Sequence, residues 1–176
     1  VLAVTVATLL FAPITATTLL ALFIFLGHFA LGFADDYIKV VKKRNLGLRA
    51  YQKLLGQCAI ALVTIIIGQQ MLGHDTKVWL PIAGGTFDLG ILYYLLIVFV
   101  LVGTSNAVNL TDGLDGLAAG TVAAAAEFYT VFLFGTDNGL MVFSVAILGA
   151  CIGFLWYNHH PARIFMGDTG SLALGG

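Results

Sequence analysis

Apolar runs of helical length alternate with short polar stretches along the whole chain. Val1 to Ala12 is apolar but too short to cross a bilayer, and it reads as the end of a helix. Pro13 and the threonines after it predict a turn. Thr17 to Ala34 predicts a span closing on Asp35-Asp36, and Asp35 to Arg49 a strongly charged loop. Tyr51 to Leu72 predicts the next span. Gly73 to Asp88, with Pro81 and Gly84-Gly85, predicts a short turn or hairpin outside the bilayer. Leu89 to Gly103 returns and runs into the polar string Asn106 to Gly116. Leu117 to Phe134 goes out, residues 135–139 turn, and Leu140 to Trp156 comes back. A loop from Tyr157 to Arg163 precedes a last helix starting near Ile164. The expected architecture is all-α: a polytopic transmembrane helical bundle of about six to seven helices with one short extramembrane hairpin. Residues 1–176 read as a single integral membrane domain truncated at both ends, since the chain opens inside an apolar run and stops in mid-helix.

Composition agrees. The chain is 60% hydrophobic and 10% charged, with a mean hydropathy of +0.99, whereas soluble domains carry about 25% charged residues. The net charge of −1 says little, but its distribution says more. Of eight Lys and Arg, six (Lys39, Lys42, Lys43, Arg44, Arg49 and Lys53) surround the first loop. Arg163 lies in a loop of the same parity, and only Lys77 lies opposite. Positive charge stays inside, so the loops of Asp35, Asp112 and Asp168 are expected in the cytoplasm. Cys58 and Cys151 both sit in apolar runs and read as packing residues rather than as a disulfide or metal pair.

Five aspartates at one interface repel one another unless a cation sits among them. Asp35-Asp36 is an adjacent pair at a predicted helix end, where the helix dipole disfavours negative charge. Neighbours on a helix project about 100° apart, so one carboxylate can face a ligand while the other holds a metal or faces a lysine. Asn106, Asn109, Asp112 and Asp115 are spaced by three. Gly113 and Gly116 allow the backbone to break there and gather donors and acceptors suited to a nucleobase, ribose hydroxyls or a hydrated cation. Asp168 sits in Gly167-Asp168-Thr169-Gly170-Ser171, close to a helix start, where backbone N–H groups favour anions. The Asp168-Thr169-Gly170 string also occurs in aspartic proteases, which need a second matching lobe absent from this chain. Lys39, four residues after Asp35, and Lys53, entering the next span, are candidates to neutralise phosphate. Lys42, Lys43 and Arg44 read as orientation by charge. His159-His160 reads as an interfacial loop, His28 as a hydrogen-bonded packing residue, and Glu127 as protonated or paired within the bundle.

Three strings carry a family resemblance: Phe33 to Tyr37, Asn106 to Gly116 (NAVNLTDGLDG) and Asn158 to Ser171 (NHHPARIFMGDTGS). In this order and spacing they resemble the polyprenyl-phosphate N-acetylhexosamine-1-phosphate transferases (glycosyltransferase 4), in particular the phospho-N-acetylmuramoyl-pentapeptide-transferase branch. The resemblance covers the whole chain and implies the middle of a ten-helix fold. It implies Asp35, Asp36 and Asp168 as catalytic aspartates, with Asp168 and Asp36 as ligands of Mg2+. It also implies Lys39 and Lys53 as active-site lysines, Asn106, Asn109, Asp112 and Asp115 as nucleotide- and metal-pocket residues, and Phe165 as an aromatic stacking near uracil. A glycine-containing motif with a lysine upstream and a histidine-rich loop downstream of Asp168 fall outside these residues. His159-His160, which precedes Asp168, is not that loop.

The implied reaction is Mg2+-dependent transfer of phospho-MurNAc-pentapeptide from UDP-MurNAc-pentapeptide to undecaprenyl phosphate. It yields lipid I and UMP in peptidoglycan synthesis at the bacterial inner membrane, with the active site facing the cytoplasm. The expected partners are those two substrates and the lipid bilayer, with room for a homodimer and no nucleic acid. Direct attack is expected rather than a phospho-aspartate route. Two alternatives stand beside it: a UDP-GlcNAc:polyprenyl-phosphate GlcNAc-1-phosphate transferase, and a cation-coupled membrane transporter. Transporter sites lie near the midplane on broken helices, whereas these acids cluster at one surface.

Overall fold

A computed structural model describes residues 1–43, 46–73, 75–80 and 84–176. Arg44 of the basic cluster and Pro81 of the hairpin lie outside the described residues. Among the described residues, seven helices and one hairpin follow in order: α1 (Leu2–Phe11), α2 (Ala16–Val41), α3 (Ala50–Leu72), β1 (Lys77–Leu80), β2 (Gly85–Asp88), α4 (Ile91–Thr111), α5 (Leu117–Phe132), α6 (Asn138–Asn158) and α7 (Gly167–Gly175). Helices α2, α3, α4 and α6 are long and apolar enough to cross a bilayer. The chain is a multi-pass membrane protein. In the hairpin Lys77 opposes Asp88 and Leu80 opposes Gly85.

The two ends of the bundle are built differently. At one end Thr15 caps α2 by accepting the Thr18 N–H at 3.2 Å. Asp137 caps α6 by accepting the Leu140 N–H at 3.0 Å, and its other oxygen accepts the Thr17 hydroxyl at 2.8 Å. One carboxylate thus fixes the starts of two helices together. Eighteen residues on, at about 1.5 Å each, Asp35 lies roughly 27 Å along α2, close to the hydrocarbon thickness. The candidate acids therefore sit at the opposite membrane face from this polar clamp.

Three boundaries differ from the sequence expectation. Helix α2 does not end at Asp35-Asp36 but continues to Val41. Lys39 then falls one turn beyond Asp35 and offsets the dipole penalty on the two acids. Helix α4 runs past Gly103 to Thr111, carrying Asn106 and Asn109 within it, and breaks only at Asp112. Gly116, and not Gly113, takes the left-handed conformation, with φ 74°. Helix α7 starts at Gly167 rather than Ile164, and Asn158 ties down the irregular segment before it. Its amide donates to Ile164 O at 2.8 Å and its oxygen accepts the Gly116 N–H at 3.0 Å.

Between helices in lipid, close packing replaces the hydrophobic effect as the main attraction. Ala118, Ala119, Val122, Ala123 and Ala126 form the buried stripe of α5, and Cys151 of α6 packs against Val122 and Ala123. A second cluster joins Val4, Phe25 and Ala173, with Phe25 edge-on to Phe143 at 5.6 Å. Both cysteines are free. His28 is buried and its Nδ1 lies 2.9 Å from Ile24 O. Glu127 is exposed on the face of α5 away from this stripe, and no ion pair includes it among the described residues. Helix α7 lies against α2 so closely that a Cβ on Gly32 would come within 2.1 Å of the Asp168 carbonyl oxygen. That approach puts the first turn of α7 beside Asp35 and Asp36.

Candidate functional site

Four helices, α2, α3, α4 and α7, bring side chains together near one end of the bundle. Oxygens of Asp35, Asp36 and Asp168 lie within 4.8 Å of one another. Asp36 Oδ2 accepts both the backbone N–H of Thr169 at 2.8 Å and its hydroxyl at 2.6 Å, so it caps the start of α7. Asp168 Oδ1 accepts the Asn109 amide at 2.9 Å. That amide also donates to Ser171 Oγ at 2.8 Å, locking α4 to α7.

Two ammonium groups thread this acidic set. Lys39 Nζ lies 2.6 Å from Asp35 Oδ2, 3.3 Å from Asp168 Oδ2 and 3.5 Å from Asp36 Oδ1. Lys53 pairs with Asp168 Oδ2 and lies 3.3 Å from Asp35 Oδ1. Burial opposes the charged form of Asp168, but the Lys53 ammonium and the Asn109 amide outweigh that and hold it well below the usual carboxylate range. Asp112, at the break after α4, behaves oppositely. Burial pushes it up, the Gly167 amide draws it down, and the charges of Asp168 and Asp36 push it up again, so it stands above the usual range.

The donor set suits a hard divalent cation. All candidate ligands are carboxylate oxygens, the kind Mg2+ prefers. Against two ammonium groups, the three carboxylates leave one negative charge unbalanced. Asp35 Oδ2 is buried without a hydrogen bond, since the Lys39 ammonium beside it is poorly aligned. Asp36 Oδ1 has only the distant Lys39 contact and is the least engaged oxygen of the set.

Of the residues singled out from sequence, Asp35, Asp36, Asp168, Lys39, Lys53 and Asn109 come together, with Asp112 facing them. The others lie elsewhere. Asn106 donates to Gln57 Oε1 at 2.8 Å and to Val102 O at 2.7 Å, so its amide joins helices. Asp115 accepts from His160 Nδ1 at 3.0 Å and from the Ala162 N–H at 3.1 Å. It thereby straps residues 160–162 to the turn before α5. The Ala162 amide, then His160, lowers the Asp115 pKa below the usual range. Phe165 is 75% exposed, three residues before Asp168.

Several participants went unnoticed in the sequence. Thr169 and Ser171 stood beside Asp168 without a separate signal. Gln57, 1% exposed, did carry one: a primary amide inside an apolar span needs partners. It accepts from Asn106 and donates to Ser105 Oγ at 2.8 Å.

Comparison with known proteins fits this geometry. Residues 17–176 match the model of glycosyl transferase family 4. The chain belongs to that family. Among similar proteins, the phospho-N-acetylmuramoyl-pentapeptide-transferase of Anoxybacillus flavithermus is 55% identical over 92% of this chain and 50% of its own length. Proteins of the same description from Heliobacterium modesticaldum and Bacillus subtilis are 53% and 51% identical, each over 94% of this chain and 51% of the relative. The chain spans about half the length of the curated relatives it matches. The cluster of three aspartates and two lysines lies wholly within the matched region.

Proposed function

We propose that the full-length protein transfers phospho-MurNAc-pentapeptide from UDP-MurNAc-pentapeptide to undecaprenyl phosphate, releasing UMP and forming lipid I. The observation that carries this reading is the pairing of two lysines with three aspartates at the membrane-face ends of α2, α3 and α7, in a chain about half identical to proteins of that description. Phosphoryl transfer is catalysed largely by positioning and charge neutralisation. Lys39 and Lys53 stand where they can swing from Asp168 onto phosphate oxygens. Asn109 keeps Asp168 oriented while they do so. The lipid phosphate, a monoester with a second pKa of about 6, is mostly dianionic at neutral pH and needs little help from a base.

Asp168 and Asp36 are the residues that would hold Mg2+, in line with the oxygen-only donor set. When bound, the ion supplies charge neutralisation on the pyrophosphate. Asp112 and Asn109 would border the nucleotide, with Asp115 holding the strap that presents Phe165. The basic residues around the first loop favour a cytoplasmic site in the bacterial inner membrane. There a soluble UDP-sugar and an interfacial lipid phosphate can meet.

The test uses full-length enzyme in detergent with Mg2+, labelled UDP-MurNAc-pentapeptide and undecaprenyl phosphate. Wild type should yield organic-soluble product, and Asp168→Asn should lower turnover by about 10²–10³-fold while remaining folded. Undiminished turnover of Asp168→Asn at saturating Mg2+ would contradict the assignment. A preference for UDP-GlcNAc over the muramoyl donor would redirect it to the related sugar transferases.

A further inference from the structure

We propose that the Gly47–Leu48 turn is a working part of this site: it seats the Asp35 carboxylate between Lys39 and Lys53, which makes Asp35 a positioning residue for the two ammonium groups rather than a group that touches substrate. The inference rests on the phosphoryl-transfer reading above for its kinetic consequence, though not for its geometry.

Asp35 is fully buried, which is unusual for a carboxylate unless it is paired and hydrogen-bonded. Its surroundings engage both oxygens, Oδ1 by a hydrogen bond and Oδ2 by an ion pair alone. Oδ1 accepts the Leu48 N–H at 2.7 Å and lies 3.3 Å from Lys53 Nζ. Oδ2 lies 2.6 Å from Lys39 Nζ. The remaining face is closed by Gly47. A Cβ at that position would stand 2.6 Å from Cγ, Oδ1 and Oδ2 of Asp35 alike, so the backbone of Gly47 lies against the carboxylate group itself. No side chain other than hydrogen fits between them.

With its oxygens turned to the turn and the lysines, Asp35 offers no surface to an incoming phosphate. What it controls is where Lys39 and Lys53 rest. One lysine is a helical turn further along α2, and the other comes from α3 across the loop. A single carboxylate touching both sets their separation, and each also reaches Asp168. The segment between α2 and α3 thus does more than orient the protein by charge. Its glycine and the next N–H act as a backstop, and a shift of about 1 Å at a reacting group can cost about 10²-fold in rate.

The experiment pairs kinetics with chemical labelling of lysines in the full-length enzyme. Gly47→Ala pushes a methyl group into the carboxylate. It should lower kcat by about 10–100-fold, with a much smaller change in KM for either substrate. In the same protein without substrate, acylation of Lys39 and Lys53 read by mass spectrometry should rise several-fold relative to Lys77 on the hairpin. Gly149→Ala, which has open space around its Cβ position, serves as the control and should leave both readouts at wild-type values. Should Gly47→Ala not fold, Asp35→Asn decides, because it keeps the volume and removes the charge that holds the lysines. It too should raise labelling of both. Wild-type kcat and labelling in Gly47→Ala would overturn the proposal. So would an Asp35→Asn enzyme that loses turnover while its lysines stay protected, since Asp35 would then act on substrate directly. The labelling arm needs no substrate, so it tests the seat even if the wild-type enzyme proves to use another sugar donor.

Discussion

Replacing Gln57 by leucine removes one buried amide and leaves the acidic cluster untouched. Gln57 sits one helical turn after Lys53 on α3 and faces Ser105 and Asn106 on α4, one turn before Asn109. The substitution deletes two hydrogen bonds of 2.8 Å each. By soluble-protein measures, a buried group left unpaired costs about 1–3 kcal/mol. Two facts lower that figure here. Asn106 Nδ2 keeps Val102 O at 2.7 Å, and Ser105 Oγ keeps the same carbonyl at 3.3 Å. Side-chain hydrogen bonds between membrane helices average only about 0.6 kcal/mol. The expected loss is therefore about 1–2 kcal/mol, read by reversible unfolding of the full-length protein in detergent. A double-mutant cycle of Gln57→Leu with Asn106→Leu should show coupling of about 0.6 kcal/mol. The substitution also reaches activity, because α3 carries Lys53 against Asp168 while Asn109 holds Asp168 from α4. Turnover should drop up to about tenfold, a little over 1 kcal/mol of barrier, with substrate affinity retained. Strict additivity in the cycle would refute the shared amide and with it the argument that this pair sets the register of α3 on α4.

Two further predictions follow from carboxylates at the edge of the site. Burial and two neighbouring acids raise the Asp112 pKa, so its ionised form opposes folding above its unfolded value of 3.8. Asp112→Asn should therefore raise the unfolding temperature at pH 7 in metal-free buffer, with the gain vanishing as the pH falls below about 4; a lower unfolding temperature at pH 7 would contradict the assigned sign. Asp115→Ala frees residues 160–162 and the exposed Phe165 that follows them. Its affinity for the UDP-sugar should fall while that for undecaprenyl phosphate changes little, and equal losses in a binding assay would show that the strap does not serve the nucleotide.

What could be read from the chain, and what could not, divides along physical lines. Span positions were legible because hydropathy over about 20 residues is a strong signal. Helix ends were less so. Asp35-Asp36 looks like a terminus, yet Lys39 one turn on lets α2 continue, and a partner across the fold is invisible to local propensity. Asn106 and Asn109 have poor helix propensity. Even so, α4 runs through both, since each amide finds an acceptor on another side chain. The residue types of the site pointed to its chemistry, but equal spacing could not show that Asp112 turns toward Asp168 while Asp115 turns toward the 160–162 strap. Gln57 carried a signal that went unread, a primary amide in an apolar run. Gly47 did not, because its importance lies in a contact formed only when α2 and α3 come together.

The central claim is that Asp36 on α2 and Asp168 on α7 converge on one divalent cation. Titration of the full-length, metal-stripped protein with Mn2+, following loss of the free-ion signal by electron paramagnetic resonance, addresses it without reference to activity. Wild type should bind the ion. Asp36→Asn and Asp168→Asn should each weaken binding by at least about tenfold, and Asp115→Asn should leave it unchanged. Wild-type Mn2+ affinity in both Asp36→Asn and Asp168→Asn would contradict the convergence.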